Sequence, residues 1–285
     1  MAIPKLGSYA LPAQAELPVN KVKWDFDPAR AALLIHDMQE YFLNFWEEGS
    51  PLVSQVVENI ARLRQFCKSQ GIPVFYTAQP NQQSDQDRAL LNDMWGPGLN
   101  QHPDRQRVVS ALAPDEQDRV LVKWRYSAFH RSSLESILNE SGRDQLIICG
   151  VYAHIGCLTT ATDAFMRDIK PFMVADALAD FSREEHLMAL NYTAGRSGKV
   201  VTTSELLAVT PASKALLRAQ ILPLLDDEAD DLNDADNLVD YGLDSVRMMA
   251  LAARWRQVHN DIDFISLAKD PSINGWWKLL SREPA

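Results

Sequence analysis

The sequence predicts an α/β protein, a doubly wound parallel sheet in three layers, followed by a small all-helical bundle. Three observations carry this. Short apolar runs alternate with helical patterns as far as about residue 207, and the runs are continuously apolar rather than alternating. Past Ala208-Val-Thr-Pro211 only helical patterns remain. Strands that are apolar on both faces and separated by helices belong to a parallel sheet covered on both sides. The expected division is a first domain over residues 1–207, with an arm over about 1–28, and a second over 208–285.

Taken in order, Ala31-Ala-Leu-Leu-Ile-His36 reads as a buried strand running into Asp37. Ser50-Pro51 starts a helix on which Val53, Val56, Val57, Ile60 and Leu63 recur at helical spacing, and Gly71 stops it. Further strands are expected at Pro73–Thr77, Arg119–Lys123, Gln145–Cys149, Phe172–Ala175 and Lys199–Thr202. Ser182-Arg-Glu-Glu185 is a capping-box pattern that opens another helix. Beyond residue 207, helices are expected over about 212–225, over 245–258 and in a last segment ending Trp276-Trp-Lys-Leu-Leu280. The run Asp226–Asp231 is a solvated loop.

Composition limits the partners. The 285 residues are 46% hydrophobic and 23% charged with a net charge of −10, and no stretch gathers Lys and Arg, so nucleic acid and anionic membrane surfaces are poor partners. The first residues lack a signal-peptide pattern and no apolar run reaches membrane-spanning length, which predicts a cytoplasmic protein. Cys67, Cys149 and Cys157 sit in apolar segments as free thiols, and no Cys/His spacing suggests zinc.

Asp240-Tyr-Gly-Leu-Asp-Ser245 opens an apolar helical run behind an acidic stretch. A serine at a helix start suits a bound anion, because unpaired N–H groups and the positive end of the dipole face it; the plainer reading is an N-cap. Together with Pro271–Trp276, the pattern over 210–282 resembles the carrier (thiolation) domain family of nonribosomal peptide and siderophore synthesis. The resemblance implies a 4'-phosphopantetheine arm on Ser245, added by a phosphopantetheinyl transferase. It also implies a docking face for partner enzymes, for which Met249, Phe264 and Ala268 are the candidates, although Met and Phe at helical spacing are more often core.

In the first domain, Asp37 follows the first strand, Lys123 ends a later one, and Gly150–Phe165 forms a strand-to-helix turn. All three belong at one sheet edge, where ligands of such folds bind. Residues 29–207 resemble the isochorismatase-like, or cysteine hydrolase, superfamily, whose nicotinamidase members use an Asp-Lys-Cys triad. Aligning the superfamily signature on Thr160-Ala-Thr-Asp-Ala164 puts Gly156 where the nucleophilic cysteine stands, with Cys157 one residue late and rotated by about 100°. Thr77 and Gln79 replace the metal-binding Asp-x-His, so no metal is required. Aspartate and lysine with glycine in place of the cysteine resemble the isochorismatase subfamily, and glycine is expected to open space for substrate. Phe42, Gln79, Arg88, Trp95 and Tyr152 match that subfamily's pocket residues. A cis peptide at Val151-Tyr152 is expected, as in relatives.

Read together, the two resemblances imply hydrolysis of isochorismate, a vinyl ether, followed by carriage of 2,3-dihydroxybenzoate as a thioester in catecholate siderophore synthesis of the enterobactin or vibriobactin kind. They further imply a 2,3-dihydroxybenzoate-AMP ligase, a condensing nonribosomal peptide synthetase and a second copy of the chain as partners. Vinyl ether hydrolysis needs a proton on carbon rather than a nucleophile, which assigns Asp37 as general acid, Lys123 to electrostatic work and Arg88 to a carboxylate. A cation at about 4 Å lowers a carboxyl by about three pKa units, so the bound dianion must engage Lys123 and raise Asp37. His36 and His154 are read as structural. The plainer alternatives pair Arg88 with Asp85 or Asp93, put Lys123 at the surface and Trp95 in the core. The competing activity is a cysteine-dependent amidohydrolase using Cys157; a third reading is an inactive scaffold attached to a carrier.

Overall fold

The computed structural model describes residues 3–207, 214–225, 231–256, 259 and 261–281. The chain divides after Thr203 into two compact units. In the first, six strands form one sheet: β1 (Ala31–His36), β2 (Val74–Ala78), β3 (Arg119–Val122), β4 (Gln145–Val151), β5 (Lys170–Ala179) and β6 (Lys199–Val201). The order is β3-β2-β1-β4-β5-β6 and every pairing is parallel. The chain therefore winds one way from β1 and then returns to wind the other way from β4. That switch opens a crevice between the carboxyl ends of β1 and β4.

Burial explains why the strands are apolar throughout. Every residue of β1 and β4 is buried. Ala32, Leu34, Phe75, Leu146, Ile148 and Met173 point to one face, where they meet Leu134, Leu138, Ala161, Ala164, Ala189 and Leu190 from the helices Leu134–Glu140, Leu158–Met166 and Arg183–Tyr192. Successive side chains alternate across a sheet, so Leu33, Ile35 and Ile147 face the other side. The helix Pro51–Ser69 buries Val56, Ile60, Leu63 and Cys67, and its Asn59 Nδ2 donates to Asp176 O of β5 at 2.6 Å. β5 runs well past the expected Phe172–Ala175 in both directions, because Lys170 to Asp176 holds two polar residues that composition alone reads as strand ends.

Local signals act as the residues dictate. Gly71 (φ +65°) follows the long helix. Ser182 Oγ accepts from Glu185 N–H, and the Glu185 carboxylate receives the Ser182 hydroxyl rather than a backbone N–H. The segment Asp87–Trp95 is broken into two short helices at Ala89 (φ +42°).

The second unit contains, among the described residues, the helices Lys214–Ile221, Ser245–Trp255, Phe264–Lys269 and Ile273–Leu280. Leu217, Ile221, Leu251 and Leu280 pack around Trp255 and Trp276, whose rings meet edge to face at 5.7 Å. Trp276 Nε1 donates to Leu267 O at 2.9 Å, so its polar edge is satisfied inside the core. The change of pattern at Ala208–Pro211, most of the acidic loop 226–231 and the helix end at 257–258 lie outside the described residues. No helix among the described residues is long and apolar enough to cross a membrane.

Candidate active site

At the carboxyl end of β1 the backbone turns at Asp37 with φ +50°, a conformation that non-glycine residues seldom adopt. Neighbouring strands hold it there. Asp37 N–H donates to Thr77 Oγ1 at 3.0 Å, and the Thr77 hydroxyl donates to Asp37 Oδ1 at 2.6 Å. Lys123 Nζ donates to Asp37 Oδ2 at 3.0 Å, and Lys123 is only 3% exposed. It is no surface stem, because its side chain is buried against Asp37, and its backbone N–H ties it to Ala78 O of β2. Burial pushes the Asp37 carboxyl up, but His36, Lys123 and the hydrogen bonds from Thr77 and Lys123 together hold it below the usual carboxylate range. Without ligand, Asp37 is an anion.

His36 lies beneath this pair. Its Nδ1–H donates to Val151 O at 2.8 Å, and Nε2 is buried without a partner. Burial dominates its titration and lowers its pKa to about 4. Two glycines make room for it. Gly150 pairs with His36 in the sheet at φ +110°, and a Cβ there would lie 2.2 Å from His36 O. At Gly156 a Cβ would lie 2.2 Å from His36 Cε1. The expectation that Gly156 frees space for substrate therefore needs correcting. Gly156 does line the cavity, but the volume a side chain would take is filled by the imidazole.

After β4 the Val151–Tyr152 peptide is cis, and a wide turn follows in which Cys157 N–H reaches Tyr152 O, five residues back. Such turns are rare and cluster at functional sites. Gly156 faces the cavity, whereas Cys157 joins the core beneath the helices. Burial raises the Cys157 thiol well above its ordinary value. A fully buried thiol held protonated cannot act as a nucleophile, which disposes of the amidohydrolase alternative.

The cavity holds about 540 Å³ of empty space, part of it open to solvent. Asp37, Phe42, Gln79, Arg88, Trp95, Lys123, Tyr152 and Gly156 all line it. Tyr152 OH donates to Phe42 O at 2.7 Å, and Phe42 and Phe181 meet the Tyr152 ring edge to face. Arg88 is 2% exposed and pairs with neither Asp85 nor Asp93. It donates to Gln83 Oε1, Asn92 Oδ1 and Gly96 O, which orient the guanidinium without neutralising it. Trp95 is not core: its Nε1 donates to Tyr126 OH at 2.9 Å in the cavity wall.

Sequence reasoning missed Tyr126 and Phe181, and named Thr77 only as the replacement for a metal ligand, not as a partner of Asp37. Asp37, Gln79, Lys123 and Tyr152 each follow a strand directly, and Phe181 stands two residues past β5. Extending the rule that ligands sit at strand ends to β5 finds Phe181. Tyr126, in a loop, carried no such signal.

In the helical unit, Asp244 caps the helix Ser245–Trp255: its Oδ1 accepts from Arg247 N–H at 2.7 Å. Ser245 is thereby relieved of the cap, stands exposed at the first helical position, and its hydroxyl has no partner among the described residues. An exposed hydroxyl at the positive end of a helix fits attachment of a phosphodiester-linked group. Met249 (50% exposed) and Phe264 (38%) line one open groove, and Ala268 is exposed a turn beyond Phe264.

Comparison with known proteins agrees with both halves. Residues 31–205 match the isochorismatase domain family, and residues 215–280 match the phosphopantetheine attachment site family. Enterobactin synthase component B of Escherichia coli (strain K12) is 72% identical over 284 residues, 99% of each chain. An isochorismatase of Bacillus subtilis is 47% identical over 299 aligned positions, covering 99% of this chain and 96% of the relative. Among solved structures, a cysteine hydrolase from Pseudomonas syringae pv. phaseolicola superposes with TM-score 0.60 at 25% identity, covering 71% of this chain and 98% of that one.

Two outcomes follow from the packing at His36. Gly156→Ala drives a methyl into a ring fixed by Val151 O, and is expected to cost about 1–3 kcal/mol in urea unfolding. In a His36→Ala background most of that cost should vanish; additivity of the two changes would show that the ring does not set it. The second outcome concerns pH. His186 is also buried, with a pKa of about 4 dominated by burial. Below about pH 6.5 the unfolded chain takes up protons at both histidines that the folded chain refuses, so stability falls as pH drops from 6.5 towards 4. At pH 5 the loss is about 2 kcal/mol per histidine. An unfolding midpoint unchanged between pH 7 and pH 5 would overturn this assignment.

Proposed function

The chain belongs to the isochorismatase family and carries a phosphopantetheine attachment domain, and from that premise we propose how its residues divide the work. The protein hydrolyses isochorismate to 2,3-dihydro-2,3-dihydroxybenzoate and pyruvate, and carries an aryl group on covalently attached 4'-phosphopantetheine for siderophore assembly. The observation that carries the division is the charge in the cavity: one carboxylate, two buried cations and no thiol among the lining residues. A dianionic vinyl ether suits such a site. Its carboxylates neutralise Arg88 and compete for Lys123, and each withdrawal of positive charge raises Asp37 towards the proton-bearing state.

Asp37 then gives its proton to the terminal vinyl carbon. The electron pair of the double bond forms the new C–H bond, and the ether oxygen shares the resulting positive charge. Water adds to the cationic carbon and returns a proton to Asp37; the hemiketal collapses to pyruvate and the ring alcohol. Lys123 stabilises the carboxylate form of Asp37 between turnovers. Arg88 presents its two remaining N–H groups to a substrate carboxylate. Phe42, Trp95 and Tyr152 shape the apolar wall, with Gln79 as a polar contact. Gly156 keeps His36 in place below Asp37.

On the carrier, Ser245 supplies the hydroxyl to which a phosphopantetheinyl transferase joins the arm. When bound, that arm supplies a thiol for an acyl thioester. Met249, Phe264 and Ala268 contact the 2,3-dihydroxybenzoate-AMP ligase and the condensing synthetase. Val120 and Val122, about half exposed on the edge strand β3, support association of a second copy. Three buried free cysteines support a cytoplasmic location.

Two assays on one sample test both halves: pyruvate released from isochorismate, and a mass shift at Ser245 after transferase and coenzyme A. Asp37→Asn should retain the fold and lower kcat about 10²- to 10⁴-fold; pyruvate release near the wild-type rate would exclude the general-acid role. Arg88→Lys keeps the charge but loses the planar fork, so KM should rise about 10- to 100-fold with a smaller change in kcat. An unchanged KM would remove Arg88 from substrate binding.

A further inference from the structure

The groove beside Ser245 has an alignment that partner docking does not require. Met249, Ala252, Ala253 and Arg256 line it from one helix, and Asp263 and Phe264 close it from the next. Counted from Ser245, these helical positions fall at i+4, i+7, i+8 and i+11, one continuous stripe that the attachment serine begins. The stripe runs about 16 Å along the axis, at 1.5 Å per residue. Its floor is apolar; its far end carries Arg256, a donor, and Asp263, whose Oδ1 caps the next helix through Ser266 N–H and whose second oxygen is the acceptor. About 700 Å³ of empty space lies in it, open to solvent.

We propose that this groove is an intramolecular binding site for the aryl end of the loaded arm, a 2,3-dihydroxybenzoyl thioester attached at Ser245. The proposal rests on the carrier reading of Ser245. Met249 and Phe264 supply the contact faces for an aromatic ring, and Ala252 and Ala253 leave the depth for it. The ring's two hydroxyls meet Asp263 and Arg256 at the end of the stripe. Attachment to the same helix gives the ring a high effective concentration at the groove, so weak contacts suffice to hold it part of the time. The same residues then alternate between the chain's own cargo and its partners, and a docking enzyme displaces the ring as it binds.

The test uses the full-length chain with ¹³C-methyl methionine, the Met249 signal being identified by its loss in Met249→Leu. Samples are prepared unmodified, with the bare arm, and with the arm bearing a 2,3-dihydroxybenzoyl amide that resists hydrolysis; mass spectrometry establishes complete loading of each. A Met249 shift and ring-to-methyl contacts found only with the aryl group support the site. In Ala253→Glu, which puts a charge into the groove from an exposed helical position, both should disappear. The thioester form of that variant should also hydrolyse several-fold faster. A Met249 signal identical with bare and aryl-loaded arms, or thioester lifetimes equal in wild type and Ala253→Glu, would overturn the site. Absence of any mass shift at Ser245 would instead overturn the carrier reading.

Discussion

The ring of His36 fixes the centre of the catalytic unit. It fills the space beside Gly156, is tied to Val151 O, and stands immediately before the residue that turns into the cavity, while Gly150 lies against its backbone. Because β1 and β4 pair directly through His36 and Gly150, the ring is placed by the sheet itself rather than by a loop. Everything after β4 must accommodate it, including the wide turn that puts Gly156 against the imidazole. A side chain at that position would have to displace the imidazole, because its Cβ would lie 2.2 Å from His36 Cε1. The absence of a thiol facing the cavity at residue 156 is thus tied to the packing of β1 against the turn after β4.

The charges above that ring form a poised system. Lys123 and Asp37 at 3.0 Å attract by about 5 kcal/mol at an effective dielectric of 20, while removing each ion from water costs several kcal/mol. The pair is therefore close to balance, and its value to the protein lies in what disturbs it. Arg88 adds a second buried cation held by neutral acceptors. The empty site carries an excess positive charge that a dianion overturns. A dianion bound there would withdraw positive charge from Asp37 and raise the proton affinity that the empty cavity keeps low.

Much of this was legible in the residues. Continuous apolar runs identified the sheet because burial on both faces leaves no polar alternation, and the strand-end rule brought Asp37, Lys123 and Tyr152 to one edge. Tyr126 was not legible, because a tyrosine in a loop looks the same whether or not it faces a cavity, and Thr77 was legible only as the replacement for a metal ligand, not as a partner of Asp37. The function of Gly156 was misread for a related reason. A missing side chain in a sequence suggests vacant space, but which atom fills that space depends on the neighbouring strand. β5 starts two residues before Phe172 and ends four past Ala175, because Lys170 and Asp176 interrupt the apolar run without interrupting the strand.

Ser245 shows the opposite case, in which structure separates two readings that sequence could not. Ser and Asp are both good caps, and adjacent in the chain they are interchangeable on paper. In the folded unit the cap belongs to Asp244, which leaves the serine hydroxyl one position inside the helix, exposed and unengaged. The order matters physically. A serine used as the cap would have its oxygen committed to backbone N–H groups and its reach to an incoming phosphoryl donor reduced. Placing aspartate first satisfies the helix end and leaves the hydroxyl of its neighbour exposed at the first helical position.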